Sequence, residues 1–156
     1  MSNFTELPLE AIEEPIVARP LVSYKVDEVE DVLEKLREAV DNENYIPQKA
    51  TEKNPALSDE YIFETQDQNQ ILKNLKVKNL VGKVKDKGEG AKKRETKGFP
   101  PEFLYVFKYA CILKRRDADI TGNEQENVLV YIKINARKIP RDVMIIVSFH
   151  KNHAKK

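Results

Sequence analysis

Apolar residues recur at helical spacing between Val29 and Val40, where Val29, Val32, Leu33, Leu36 and Val40 share one face and Glu, Lys and Arg fill the other. This pattern predicts a helix over 28–41, opened by Asp27 with Glu30 three residues on as a capping box. A second helix is expected from about Thr65, with Gln68 at the third position, carrying Ile71, Leu72, Leu75 and reaching toward Leu80; Ser58 is an alternative cap. Between them "NYIPQKATEKNPALSDEY" (44–61) reads as a connector with a short strand around Tyr45 and Ile46. The last third changes period. "FLYVFKYACIL" (103–113) is rich in aromatic and β-forming residues, and "NVLVYIKIN" (127–135) alternates. In the latter, Val128, Val130, Ile132 and Ile134 face one way, and Leu129, Tyr131, Lys133 and Asn135 the other. "ARKIPRD" (136–142), with Pro140, reads as a hairpin turn. In the strand after it, Val143, Ile145, Val147 and Phe149 are expected to face the core, with Met144, Ile146, Ser148 and His150 opposite.

Helices followed by strands predict an α+β domain, with N-terminal helices packed on a small C-terminal antiparallel sheet. A length of 156 residues suits a single domain, taken as 23–150. Residues 1–22, with Pro8, Pro15 and Pro20, read as an extended arm, mobile or laid across the surface. Residues 151–156 read as a basic tail. "GKVKDKGEGAKKRETKGFPP" (82–101) holds four of the five glycines and seven Lys/Arg, and is expected to be a flexible basic loop. Its Gly88-Glu89-Gly90 lacks the Gly-Lys-Ser/Thr of a phosphate-cradling loop, and no strand is expected to lead into it.

Charge adds an asymmetry that the net +1 hides. Residues 1–70 hold 6 Lys/Arg against 17 Asp/Glu, and residues 71–156 hold 21 against 9, so the halves carry −11 and +12. A basic half is a candidate footprint for RNA; the plainer reading is that the halves screen one another within one fold. Lys85, Lys92, Lys93 and Arg94 of the basic loop and Lys151 of the tail are the candidate phosphate contacts. The longest aliphatic run, Val143 to Val147, is far too short to span a membrane, and no leader pattern opens the chain. A lone cysteine, Cys111, suits a reducing cytoplasm, where the acceptor pattern Asn3-Phe4-Thr5 carries no weight.

If the two C-terminal strands pair as a hairpin, Tyr131 and Lys133 share a face with Ser148 and His150. A phenol, an ammonium, a hydroxyl and an imidazole are groups that suit metal-free RNA cleavage. An imidazole titrating near pH ~6.5 gives or takes a proton. A lysine stabilises charge on a phosphate in transfer, and a tyrosine stacks on a base. Each also has a structural explanation: tyrosine packs well in strands, and exposed strand lysines discourage aggregation. His150 and His153 lack the cysteines or convergent carboxylates of a metal site, and no cofactor is expected.

The order of these signals resembles the type II toxin–antitoxin toxins related to the motility quorum-sensing regulator (MqsR), within the RelE-like ribonuclease fold group. The pieces that carry the resemblance are "VEDVLEKLREAV", "ATEKNPALS", "ILKNLKVKNL", "FLYVFK", "VYIKI" and "IVSFH", in that order over about residues 29–150. The resemblance implies a RelE/MqsR-like fold and a cytoplasmic, bacterial, metal-independent endoribonuclease of the mRNA interferase type, silenced by a cognate antitoxin protein. It implicates the tyrosine of the "VY-K-" strand, here Tyr131, and the residue after "SF", here His150, where the family also uses lysine. A lysine after the second helix is implicated too; Lys83 is the nearest match, with Gly82 and Lys85 fitting almost as well. The arm, the basic loop and "KRRDADITGNEQE" (114–126) are additions to the family's pattern. A non-catalytic RNA- or partner-binding module of the same fold is the alternative.

Overall fold

A computed structural model describes residues 3–8, 21–47, 56–118, 122, 124–138 and 142–151. Most of the proposed arm, the tail beyond Lys151, His153 and the turn at Pro140 lie outside these residues. Four helices, α1 (Val26–Asp41), α2 (Leu57–Glu60), α3 (Thr65–Asn74) and α4 (Glu89–Thr96), accompany five strands: β1 (Phe4–Glu6), β2 (Leu80–Lys85), β3 (Phe103–Lys114), β4 (Gln125–Arg137) and β5 (Val143–Lys151). The strands form one antiparallel sheet in the order β1-β3-β4-β5, and β2 also pairs with β3. The expectation of an α+β domain holds.

The long β3–β4 hairpin is the frame. Its register runs without a break from Lys114 opposite Gln125 to Tyr105 opposite Ile134. Alternation then sends Phe107, Tyr109, Cys111 and Leu113, with Val128, Val130, Ile132 and Ile134, to one face. There they meet Val29, Leu33, Leu36 and Val40 of α1, Ile71 and Leu72 of α3, and Leu57, Tyr61, Phe63 and Leu75 around them. The apolar stripe read from the sequence is therefore the stripe that α1 buries.

The predicted capping box lies two residues too late. Lys25 is the N-cap of α1, and Glu28 accepts its backbone N–H at 3.0 Å. At α3, Glu64 is the N-cap, and fully buried Asp67 accepts its N–H at 2.9 Å. Asp67 also takes the Asn3 backbone N–H at 2.8 Å and the Asn3 side-chain amide at 2.9 Å, tying the start of β1 to α3. Residues 4–6, expected to be part of an arm, thus form an outer strand; Phe4 lies opposite Leu113. The helix expected to reach Leu80 stops at Asn74, and after a 3-10 turn (Val77–Asn79) Leu80 opens β2. Of the short strand expected around Tyr45 and Ile46, a single bridge remains: Ile46 pairs with Ile145 in parallel.

Two further expectations are overturned. Residues 82–101 are not a flexible loop, because 82–85 complete β2 and 89–96 form α4. The strand was concealed because Val84 is its one buried aliphatic residue among lysines. A strand does therefore lead into Gly88-Glu89-Gly90. The second correction concerns β5. Lys133 lies opposite Ser148, but Ile134 lies opposite Ile146, so Val147 is an extra residue, a β-bulge. The bulge resets the alternation. Met144 and Ile146 join Phe149 in the core, while Val147 is 37% exposed and Val143 and Ile145 are only partly buried.

This phase is testable by stability. Ile146→Ala and Met144→Ala are each expected to cost ~2–5 kcal/mol through a core cavity, whereas Val147→Ala should stay within ~0.5 kcal/mol. Urea denaturation of the three variants measures it, and a larger loss at Val147 than at Ile146 would restore simple alternation.

Candidate functional site

The bulge leaves Ser148 and His150 on the face of the sheet away from α1. His150 stands directly opposite Tyr131, and Ser148 opposite Lys133. Directly opposed residues place their Cβ atoms about 4.5–5.5 Å apart. The two rings lie with centroids 6.0 Å apart at 58°, and the Lys133 ammonium sits 5.3 Å from the Tyr131 ring centroid, a cation–π contact. Tyr131 packs with Val84, Leu104 and Val106, so an apolar patch from β2 and β3 flanks the polar one. The four residues expected to gather do so.

His150 Nδ1 lies 2.9 Å from the Lys151 carbonyl oxygen. A carbonyl only accepts, so Nδ1 carries the hydrogen, and in the neutral ring Nε2 carries the lone pair. Nε2 is thus the atom able to take a proton. His150 and Tyr131 are 9% and 8% exposed.

A fifth residue was missed in the sequence. Lys108 of β3 stands opposite Tyr131 on the other side from His150, so Lys108, Tyr131 and His150 form a row across three adjacent strands. Lys108 is 7% exposed. Its signal was available: it is the single charged residue within "FLYVFKYACIL".

Lys83 does not join them. Its neighbour Val84 takes the His150 face, so Lys83 points to the helices, where its ammonium is 2.8 Å from Glu28 Oε2 and 4.6 Å from the Phe103 ring centroid. Glu28 also accepts the Tyr105 hydroxyl at 2.6 Å. The hydrogen bonds from Lys83 and then Tyr105 hold the Glu28 carboxyl far below its ordinary value, at about 2.

The candidate phosphate contacts are unequal. Lys151, one residue past His150, faces the helices and pairs with Glu60 at 2.8 Å and Glu126 at 3.6 Å; its hydrogen bond lowers the pKa of Glu60. Both acids cluster with Tyr61, whose hydroxyl donates to Glu126 and receives the Lys151 ammonium at 3.2 Å. Arg94 holds Glu102 in a two-point pair, Nε to Oε2 at 2.5 Å and an NH2 to Oε1 at 2.9 Å, which lowers the Glu102 pKa. Lys85 pairs with Glu95 at 3.1 Å. Lys92 and Lys93 are exposed on α4.

Among the described residues no three His, Cys, Asp or Glu side chains gather closely enough to hold a metal ion, and no helix is long and apolar enough to cross a membrane. No family model matches the chain, and no curated protein or solved structure gives a significant match.

Two expectations follow. Long-range 1H–15N NMR above the titration of His150 should show the Nδ1–H tautomer; an Nε2–H signal would contradict the bond to the Lys151 carbonyl. Because the Glu28 pKa is depressed by folding, its stabilisation is complete above the ordinary value near 4.5 and is lost as pH falls through about 2. Glu28→Gln should cost ~1 kcal/mol at neutral pH and flatten the acid limb of stability between those values. An unchanged acid limb in the variant would remove Glu28 from that role.

Proposed function

We propose that this chain is a metal-independent endoribonuclease of the MqsR-like toxin type, acting on cytoplasmic RNA and held silent by a protein antitoxin. The observation that carries the proposal is the opposed pairing of Tyr131 with His150 and of Lys133 with Ser148 on one sheet face. In this reading His150 Nε2 takes the proton of a ribose 2′-hydroxyl. The 2′ oxygen then attacks the adjacent phosphorus and the bond to the 5′ oxygen breaks. The departing 5′ oxygen takes a proton from the imidazolium or from water, leaving a 2′,3′-cyclic phosphate and a 5′-hydroxyl. Lys133, joined by Lys108, offsets the charge that grows on the phosphate. Tyr131 orients the base or ribose, and Ser148 fixes the geometry by hydrogen bonding. Lys83 acts through Glu28 as part of the scaffold.

A second reading, a non-catalytic RNA- or partner-binding module, is favoured by the near burial of His150 and Tyr131 and by the turning of Lys83 toward the helices. The two separate on one comparison. In bacteria expressing the chain, wild type should arrest growth and yield RNA fragments ending in 2′,3′-cyclic phosphate. His150→Ala should lower cleavage by ~10²–10⁴, and a chelator should leave cleavage by the purified protein unchanged. Normal growth and intact RNA with both proteins would reject the nuclease and leave the binding module.

A further inference from the structure

The charges of residues 85–102 look mixed in sequence, but the fold sorts them. Ala91 is buried, and the half-buried positions of α4 beside it are Arg94 and Glu95. Both are spent on ion pairs: Arg94 with buried Glu102, and Glu95 with Lys85. The outward face carries Lys92, Lys93, Thr96 and Lys97, all exposed, with Lys87 just before the helix and Glu89 as the one outward acid. Among the described residues Lys87, Lys92, Lys93 and Lys97 make no ion pair. Acids are drawn inward and cations are left outside.

The helix is also fastened to the sheet. The Asn135 amide donates to Asp86 Oδ2 at 2.8 Å and to Glu102 Oε1 at 2.9 Å, and Glu102 is the residue Arg94 clamps. Asn135 lies on β4 with the same alternation as Lys133 and Tyr131. At about 3.4 Å per residue it is ~7 Å along the strand from Lys133 and ~14 Å from Tyr131. The basic helix is thus anchored at a β4 position on the same side of the sheet as His150, ~14 Å along the strand from Tyr131.

We infer that the outward face of α4, with Lys87, Lys92, Lys93 and Lys97, is a docking surface for the phosphate backbone of single-stranded RNA and leads that strand onto the His150 face. The choice of RNA as the polyanion rests on the nuclease reading. The surface fits a phosphate chain because it offers several ammonium groups on a fixed support. It does not fit a membrane surface, since a helix lying in the headgroup layer needs an apolar face to insert and the exposed residues of α4 include none. The surface reassigns the contacts expected from sequence: Lys92 and Lys93 stay, Lys87 and Lys97 enter, and Lys85, Arg94 and Lys151 serve the scaffold.

The test is fluorescence anisotropy of a dye-labelled single-stranded RNA titrated with the full chain over a range of salt. All proteins carry His150→Ala so that cleavage does not obscure binding. Lys92→Gln/Lys93→Gln/Lys97→Gln is compared with Lys76→Gln/Lys78→Gln, two exposed lysines near the 3-10 turn. Three lost phosphate contacts should make the slope of log affinity against log salt shallower by about 2 and weaken binding roughly 10–100-fold at ~0.1 M salt. The inference is overturned if slope and affinity are unchanged, if the control pair loses as much, or if phosphatidylserine vesicles bind α4 more tightly than RNA does. RNA binding through α4 by a wild-type chain that never cleaves supports this surface and sinks only the nuclease. Cleavage by wild type with undiminished binding by the triple variant sinks only this surface.

Discussion

The register of β5 against β4 decides what lies on each side of the sheet, and Val147 is where that register is made. Without an extra residue there, Met144 and Ile146 could not share a face with Phe149. With it, the strand fills the core along its first half and still presents Ser148 and His150 to the opposite side in its second. A strand whose residues are aliphatic from Val143 to Val147 can accept either phase locally. The packed side of Ile132 and Ile134, which meet Phe149 and Ile146, selects one of them. The polar row exists because the apolar side was satisfied first.

Legibility in the sequence followed the strength of local pattern. The stripe of α1 and the alternation of β4 were readable because each carries one apolar face and one polar face, so period and phase are both fixed. The phase of β5 was not readable, since "VMIIV" is apolar at every position. β2 is hard to read because Leu80 fits the end of a helix and Val84 stands alone among lysines. That Tyr131 and Lys133 share a face with Ser148 and His150 was legible from the two strand patterns, while the register that sets Tyr131 opposite His150 was not. The place of Lys83 was not, because its acid partner is 55 residues away in α1. Lys108 was passed over since one lysine in an aromatic strand looks like an exposed position until the opposite strand is known.

The unequal halves of the chain find part of their balance in long-range pairs. Lys83 with Glu28, Lys73 with Asp41, Lys138 with Asp31 and Lys151 with Glu60 each join a base from the second half to an acid from the first. Most of these pairs are at least partly exposed, so their worth as stability is small. Their larger effect is to remove particular cations from the outer field of the molecule. Among the described residues, α4 and its flanks keep four exposed lysines, Lys87, Lys92, Lys93 and Lys97, outside any ion pair.

β1 and β2 lie end to end along one edge of β3, with β1 beside Cys111 to Leu113 and β2 beside Phe103 to Phe107. β1 therefore has no place to pair until β3 has followed it; the Glu6–Tyr109 hydrogen bond spans 103 residues. Loop closure of that length delays the contact's reward until most of the chain exists. Folding on the ribosome is then expected to begin with local helices and to add β1 to the sheet only after β3 has formed.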